Sequence, residues 1–304
     1  MREIVKSHME ERIEHIRKRP GIYIGRLGNG ANEQDGIYNL LKIIFYSLIR
    51  QFKEGISDEL TISIHDGRNV NISYPSTEIG YIEIVQALSS SFEISDEGGR
   101  AILSFTPDET IFEGFSYRQS IVSVILKSYC YANAGLTIKY NDNEIYAPNG
   151  LADLINDEFS DNLQYPVIHL SDPGIEIAFA NRAKTYNAIH HSFVNGIKTE
   201  GGTHVNALKD ALVKVIGNIF YDVDICPSEI LEGLSAAISI DVDDPMYGQA
   251  NPGILASVKL SPENPDIKEF VYTFMSKKLT QYLEQNPQVK SQLLGHFTEY
   301  AIHM

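Results

Sequence analysis

The segment from residue 192 to residue 204 constrains the fold more than any other part of this chain. It begins with an apolar stretch typical of a strand, reaches the pair Gly201-Gly202, and continues through Thr203 and His204 into an apolar helical pattern. Adjacent glycines allow a turn that residues with a Cβ resist, and a Thr hydroxyl at this position is typical of a helix N-cap. The segment therefore predicts a strand, a tight turn and a helix to about residue 221.

Length and composition indicate a folded protein of two domains. The chain has 304 residues, of which 43% are hydrophobic and 21% are charged. This length favours two compact units over one, and the composition is ordinary for a globular protein. The polar N-terminus has no signal-peptide pattern, and no apolar run approaches the roughly 20 residues of a membrane helix. We therefore expect a cytoplasmic protein without a membrane span.

The charge balance argues against a strong DNA-binding surface. The formal net charge is -15, and acidic residues exceed basic ones in both halves of the chain. Proteins bind duplex DNA by neutralising phosphates with clustered Lys and Arg, so DNA binding is possible but disfavoured. Cys130 and Cys226 form no Cys-x-x-Cys pair, so we expect two reduced thiols and no zinc site.

The periodic patterns predict an α+β fold. In the N-terminal half, helical spacing and strand alternation are separated by turn residues. They predict helices at 7–17, 37–53, 82–88 and 120–131, a hairpin of strands 60–65 and 69–74, and a second hairpin at 136–146. Pro20 and Gly21 end the first helix in a predicted tight turn.

A polar stretch at 157–166 is the candidate linker, and it predicts domains at 1–162 and 163–304. The patterns of the second half alternate strands with helices. They predict strands at 167–170, 175–180, 190–195 and 237–242, a helix at 265–284 and an amphipathic tail at 289–302.

Three segments in order resemble one family. Residues 16–25, which include Pro20-Gly21, residues 192–204, and residues 232–240 leading to Pro245 resemble the ATPase and transducer region of the DNA gyrase B subunit and its topoisomerase IV counterpart. The resemblance runs from about residue 10 to the C-terminus. It implies a GHKL (Bergerat) ATPase-like domain followed by a transducer-like domain with a left-handed βαβ crossover. It also makes Pro20, Gly21, Gly201, Gly202, Thr203 and His204 the structural motif residues.

The resemblance places the family's catalytic groups on the helix predicted at 37–53. There the family carries a Glu that activates water, an Asn that holds Mg²⁺ and an Asp, on one helical face. The matching positions in this chain are Ile43, Ser47 and Arg50. A hydrocarbon side chain has no titratable group, so Ile43 cannot act as a general base.

Two further elements of the family's nucleotide site are changed in the N-terminal half. An Asp that reads adenine, and a Gly beneath the base, correspond to Tyr74 and Glu78. The glycine-rich lid corresponds to residues 114–120, where Arg118 and Ser120 replace glycine-rich sequence and a single glycine is left. Glycine lets backbone N–H groups approach phosphates closely, so the phosphate cradle is predicted to be lost.

The last element is the family's Gln-Thr-Lys loop, whose Lys meets the γ-phosphate. Gln249 is retained, whereas Asn251 stands where Lys belongs. Since four separate elements are altered, we interpret the site as degenerate and the chain as a pseudo-ATPase, with no catalytic residue, metal or cofactor. Tyr74 is expected to plug the old pocket, and Ile43 to widen the apolar stripe of its helix.

Because the site is interpreted as degenerate, we expect an interaction or regulatory module. Its expected partner is a second copy or a topoisomerase-type subunit. In the family, ATP traps an N-terminal arm to form the dimer, so a dimer here is expected to need another trigger. The chain ends before the family's DNA-cleaving region, so it is not expected to cut DNA alone. Two alternatives stay open: an ATP- and Mg²⁺-dependent clamp subunit of an atypical topoisomerase, and a module that holds another small molecule.

Other polar clusters have structural interpretations. Adjacent His190 and His191 point to opposite faces of a strand and cannot share a metal ion. The same interpretation is given to the carboxylates Asp241, Asp243 and Asp244, the basic run Arg17-Lys18-Arg19, and the Ser192, His204 and Asp210 set, which lacks a nucleophile elbow.

Overall fold

The computed structural model describes residues 2–57, 59–75, 78–185, 187–248 and 253–301, with side chains between residues 9 and 298. The chain divides into two compact units, residues 1–147 and 148–304. This division lies ahead of the predicted boundary after residue 162. The reason is a helix at Leu151–Phe159, within and before the predicted linker, that packs on strands of the second unit.

The first unit is built on a six-stranded sheet in the order β3-β4-β2-β1-β5-β6. Its strands are β1 (Glu59–His65), β2 (Asn69–Pro75), β3 (Ser89–Glu97), β4 (Arg100–Pro107), β5 (Thr137–Tyr140) and β6 (Asn143–Tyr146). Its helices are α1 (Arg2–Lys18), α2 (Pro20–Ile24), α3 (Gly36–Lys53), α4 (Ile82–Ala87) and α5 (Gln119–Ala132). β1 pairs with β5 in parallel, and the other neighbours are antiparallel.

Helical and strand periodicity explain the core of this unit. α3 buries an apolar stripe that includes Leu41, Phe45 and Leu48, and Phe45 stacks on Tyr129 of α5. β1 and β2 bury every second residue, as expected for strands with one face toward a core. The helix and hairpin predicted from the sequence are confirmed.

Pro20-Gly21 does not form the predicted tight turn. Pro20 is the first residue of α2, where its missing N–H and fixed φ suit a helix N-terminus. The break in the helical path lies at Arg19, between α1 and α2. The pair therefore begins a short helix.

The second unit is built on a five-stranded sheet in the order β10-β9-β12-β8-β7. Its strands are β7 (Ile168–Asp172), β8 (Ile175–Asn181), β9 (Ile189–Val194), β10 (Ile197–Thr199), β11 (Gly201–Gly202), β12 (Leu234–Ile240) and β13 (Ile254–Leu255). Its helices are α6 (Leu151–Phe159), α7 (Thr203–Ile219), α8 (Pro227–Leu231), α9 (Ile267–Gln285) and α10 (Pro287–Ala301). β9 and β12 pair in parallel on either side of α7 in sequence, which forms the expected βαβ unit.

The turn at Gly201-Gly202 has a strict backbone requirement. Gly202 has φ +135°, and a Cβ there would lie 2.3 Å from the Leu255 carbonyl oxygen, because β11 pairs with β13. Thr203 does not cap α7 as predicted. It is the first residue of the helix, Gly202 is the N-cap, and the Thr203 hydroxyl donates to the Ser257 carbonyl oxygen at 2.6 Å.

None of the helices in the described residues combines the length and the apolar character that a bilayer span requires.

Candidate nucleotide site

Ile43, Ser47 and Arg50 lie on α3 at the predicted positions. Ile43 is partly buried, Ser47 is buried and the Arg50 side chain is exposed. The Arg50 Nε lies 3.8 Å from an oxygen of Glu54 in the next turn, a surface pair with little energetic weight. The sequence of α3 contains no Asp or Glu. This helix face therefore carries no group that could take a proton from water.

The segment that follows β2 is hydrogen-bonded to α3. The Gly80 N–H donates to the Ser47 hydroxyl oxygen at 3.0 Å. One turn along the helix, the Gln51 side-chain amide donates to the Glu78 carbonyl oxygen at 3.1 Å, while the Glu78 side chain is exposed. These two bonds hold residues 78–80 against the helix face that carries Ser47.

Tyr74 lies inside the first unit. It is 2% exposed and belongs to the same inward-facing set of β2 as Val70 and Ile72. Burial raises the pKa of its phenol above the ordinary value. A large ring therefore occupies interior space at the position matched to the family's adenine-reading Asp.

The segment before α5 is fixed by buried tyrosines. Tyr38 is fully buried, and its hydroxyl donates to the Gly30 carbonyl oxygen at 2.8 Å and accepts from the Arg118 N–H at 3.1 Å. Tyr117 packs edge-to-face on Tyr38 and donates to the Ile37 carbonyl oxygen at 3.0 Å. Arg118 and Ser120 have exposed side chains at the start of α5. These contacts join the loop before α3 to the segment matched to the lid.

Two of these contact residues were not identified from the sequence. Tyr38 and Gln51 are polar residues on the buried face of α3. A polar group within an apolar helical stripe usually needs a hydrogen-bond partner, and that pattern is visible in the sequence. The sequence does not show which residues are the partners, because Arg118 and Glu78 lie far along the chain.

Gln249 and Asn251 lie outside the described residues. Among the residues that the structure does describe, there is no group of three or more His, Cys, Asp or Glu side chains placed to hold a metal ion. Asp241, Asp243 and Asp244 follow the end of β12 at Ile240.

The basic run near the N-terminus has a structural contact. Arg17 donates to an Asp108 carboxylate oxygen at 2.5 Å and to the Ala87 carbonyl oxygen at 2.7 Å. The hydrogen bond from Arg17 is the main reason that the pKa of Asp108 is lowered. Arg17 thereby ties α1 to the end of α4 and to the segment after β4.

The Ser192, His204 and Asp210 set does not form a triad. Ser192 shares a hydrogen bond with the Thr199 hydroxyl at 2.8 Å, and Asp210 pairs with Lys268 at 2.6 Å. His204 is fully buried at the start of α7, and burial lowers its pKa to about 4. Its Nε2 lies 3.4 Å from the Thr199 hydroxyl oxygen, so it contacts neither Ser192 nor Asp210 in a triad arrangement.

Comparison with known proteins identifies the family. The family model described as DNA gyrase B matches residues 149–301, about half of the chain. This chain belongs to the DNA gyrase B family. The matched residues nearly coincide with the second unit, where the Gly201-Gly202 turn and the βαβ arrangement lie.

Relatives of the DNA gyrase B family match over most of the chain. The B subunit of DNA topoisomerase 4 from Borreliella burgdorferi is 31% identical over 305 residues, which cover 81% of this chain and 50% of the relative. The DNA gyrase B subunit of Mycoplasma genitalium is 25% identical over 379 residues, covering 91% of this chain and 56% of the relative. The chain spans about half the length of these curated relatives.

Solved structures confirm the predicted fold class across both units. The 43K ATPase domain of Thermus thermophilus gyrase B, solved with an aminocoumarin, superposes with a TM-score of 0.74 at 20% identity and covers 96% of each chain. The gyrase B subunit from Myxococcus xanthus gives a TM-score of 0.75 at 17% identity, with 93% of this chain and 99% of that one covered. At these identities the likeness concerns the fold.

Proposed function

We propose that this member of the DNA gyrase B family is a pseudo-ATPase that acts as an interaction or regulatory module. One observation carries the proposal. The α3 face that holds the catalytic groups in the family here carries Ser47 and Gln51 bonded to residues 78–80 of the same chain. Contacts within the protein thus take up the face that nucleotide chemistry would need.

The residues of α3 do not fit Mg-ATP. A hard divalent cation needs several oxygen ligands, and carboxylates are the usual protein donors. α3 offers no carboxylate, and the guanidinium of Arg50 would oppose a nearby cation. A general base needs a titratable group, which Ile43 lacks. We therefore assign no hydrolytic step to this face.

The packing around α3 supports the same conclusion. The Tyr74 ring fills interior space, and Tyr38 and Tyr117 fix the segment before α5 without a nucleotide. The alignment with the Mycoplasma genitalium relative spans 379 positions, more than the 304 residues of this chain. That relative therefore holds residues inside the matched span that this chain lacks.

Nucleotide titration tests the proposal directly. The purified chain is titrated with Mg-ATP and a non-hydrolysable analogue in a calorimeter, and its thermal unfolding and phosphate release are measured in parallel. The 43K ATPase domain of Thermus thermophilus gyrase B serves as the positive control. We expect no binding heat, no shift of the unfolding temperature and no phosphate release from this chain.

Saturable nucleotide binding would refute the pseudo-ATPase. A ligand present at a hundred times its Kd stabilises a protein by about 2.7 kcal/mol, so specific binding would be visible as a higher unfolding temperature. Binding accompanied by phosphate release would instead support an ATP-dependent clamp subunit.

The proposed partner is a second copy or a topoisomerase-type subunit, as the relatives are named as subunits. Sedimentation of the chain over a range of concentrations, with and without nucleotide and with a candidate subunit, tests this. We expect assembly that does not depend on nucleotide. A monomer that binds no such subunit would refute this part of the proposal.

A further inference from the structure

The edge strand β3 is the longest exposed strand edge of the first unit. β3 spans nine residues and pairs along one side with β4, from Ser89 to Glu97, with a register irregularity between Ser89 and Ser91 and a regular ladder from Ser91 onward. Its other side has no strand partner among the described residues. The opposite edge of the sheet, β6, has only four residues and packs against α5. Unpaired N–H and C=O groups along such an edge are a template for another strand.

The side chains of β3 give this edge two different faces. Phe92 and Ile94 stand in register with Phe105 and Leu103 of β4, which are buried. They therefore continue the core face of the sheet outward, and Ile94 is 49% exposed there. The apolar face of the sheet thus extends from β4, where it is buried, onto β3, where it is partly exposed.

The opposite face of β3 is acidic. Glu93 and Glu97 alternate with the apolar residues and point to the polar side of the sheet, in register with Ser104 and Arg100. Asp96 adds a third exposed carboxylate at the end of the apolar side. β3 contains no Lys, Arg or Pro, the residues that commonly protect an edge strand.

We propose that β3 binds an extended segment of a partner protein in which apolar residues alternate with Lys or Arg. Strand addition would satisfy the free backbone groups of β3. The apolar side chains of the segment would cover Phe92 and Ile94, and its basic side chains would face Glu93 and Glu97. The carboxylates of β3 favour a basic partner segment. A second copy of β3 would instead bring the three carboxylates of each strand together.

A peptide titration tests the surface. The full chain is titrated with a fluorescein-labelled peptide of alternating Lys and Val, and binding is followed by fluorescence anisotropy. Hydrogen exchange then locates the site. We expect saturable binding and slower exchange at residues 91–97. A peptide of the same composition, with its valines gathered at one end, is expected to bind at least about tenfold more weakly, since it cannot match the alternation.

Matched variants distinguish binding at β3 from nonspecific attraction between the basic peptide and the acidic protein. Ile94→Asp should weaken binding about tenfold, whereas Ile56→Asp, at an isoleucine of similar exposure, should not. Glu93→Lys with Glu97→Lys should weaken it further, whereas Asp222→Lys with Glu284→Lys makes the same charge change in the second unit. Circular dichroism and thermal unfolding confirm that each variant is folded.

Three outcomes would overturn the inference. The first is no binding, or equal binding of the two peptides. The second is equal weakening by the β3 variants and their controls. The third is self-association of the chain with protection of residues 91–97, which would identify a second copy as the occupant. Because none of these measurements involves nucleotide, they can fail while the pseudo-ATPase proposal stands.

Discussion

The two units differ in what they share with the DNA gyrase B family. In the second unit, residues 149–301 match the family model, and Gly202 sits where a Cβ would meet the Leu255 backbone. In the first unit the fold is present, and the resemblance matches Ile43, Ser47 and Arg50 to the positions of the family's catalytic groups. Under the proposed function, the residues retained in the second unit are set by backbone geometry, and those altered in the first unit are ones that serve chemistry in the family.

Replacing Tyr74 is the strongest test of whether the first unit has filled its pocket. Truncation of a large buried aromatic residue removes apolar contacts and leaves a cavity. We expect Tyr74→Ala to lower the free energy of unfolding by about 3–5 kcal/mol in urea denaturation. Tyr221→Ala is the control, since that ring is 85% exposed, and should change stability by less than about 0.5 kcal/mol. A small cost at Tyr74 would mean that its ring merely lines an open pocket.

Replacing Gly202 tests the retained turn of the second unit. A Cβ at this position would lie 2.3 Å from a backbone oxygen and force a side chain into a glycine backbone region. We expect Gly202→Ala to cost about 2–4 kcal/mol, the combined effect of strain and overpacking. Gly217→Ala in α7, where a Cβ meets nothing within 4 Å, should stabilise by up to about 1 kcal/mol. Equal effects would show that the turn is not geometrically constrained.

Elements with a local sequence pattern were predicted correctly. The apolar stripe of α3 and the alternation of β1 and β2 were sufficient to predict these elements, because each pattern lies within one element. α6 was missed, although Leu151, Leu154 and Ile155 have helical spacing, because the acidic residues after them suggested a polar linker. The strands that α6 packs on, β8 and β12, come later in the chain and are not apparent from its own sequence.

The candidate site was predicted by position and not by contact. The resemblance matched Ile43, Ser47 and Arg50 to the family's catalytic positions, but the acceptor role of Ser47 toward Gly80 depends on where the chain after β2 returns. Thr203 shows the same limit, since its hydroxyl bonds Ser257 across 54 residues and not the helix it begins. Local preference for a cap was overridden by a tertiary hydrogen bond.

Lowering the pH should destabilise the second unit through two buried histidines, His204 and His296, and the half-buried His190. Burial lowers the pKa of His204, His190 and His296 to about 4, against an ordinary value near 6.5. Between these values the unfolded chain binds protons that the folded chain does not, so stability falls as pH drops from about 6.5 to 4. We expect a loss of about 2 kcal/mol by pH 5 for a fully buried imidazole such as His204.

His204→Gln separates this effect from general acid denaturation. The variant should be spared about 2 kcal/mol of the stability loss that urea denaturation measures between pH 7 and pH 5. His65→Gln removes an exposed imidazole in the first unit and serves as the control. An unchanged slope in His204→Gln would show that this imidazole takes up its proton without unfolding.

Restoring the three family residues on α3 should have the smallest effect. The variant Ile43→Glu, Ser47→Asn, Arg50→Asp returns a potential base and oxygen ligands to the helix face. We nevertheless expect no phosphate release above that of the unsubstituted chain. Tyr74 would still fill the interior, and Gln51 would still bond the Glu78 carbonyl oxygen. A catalytic group contributes only when substrate is held within reach, and restored side chains do not reopen a filled pocket. Phosphate release with Mg-ATP, measured on the folded variant, decides the point. If phosphate release appears, the first unit differs from the family only in its catalytic side chains, and its pocket is not filled.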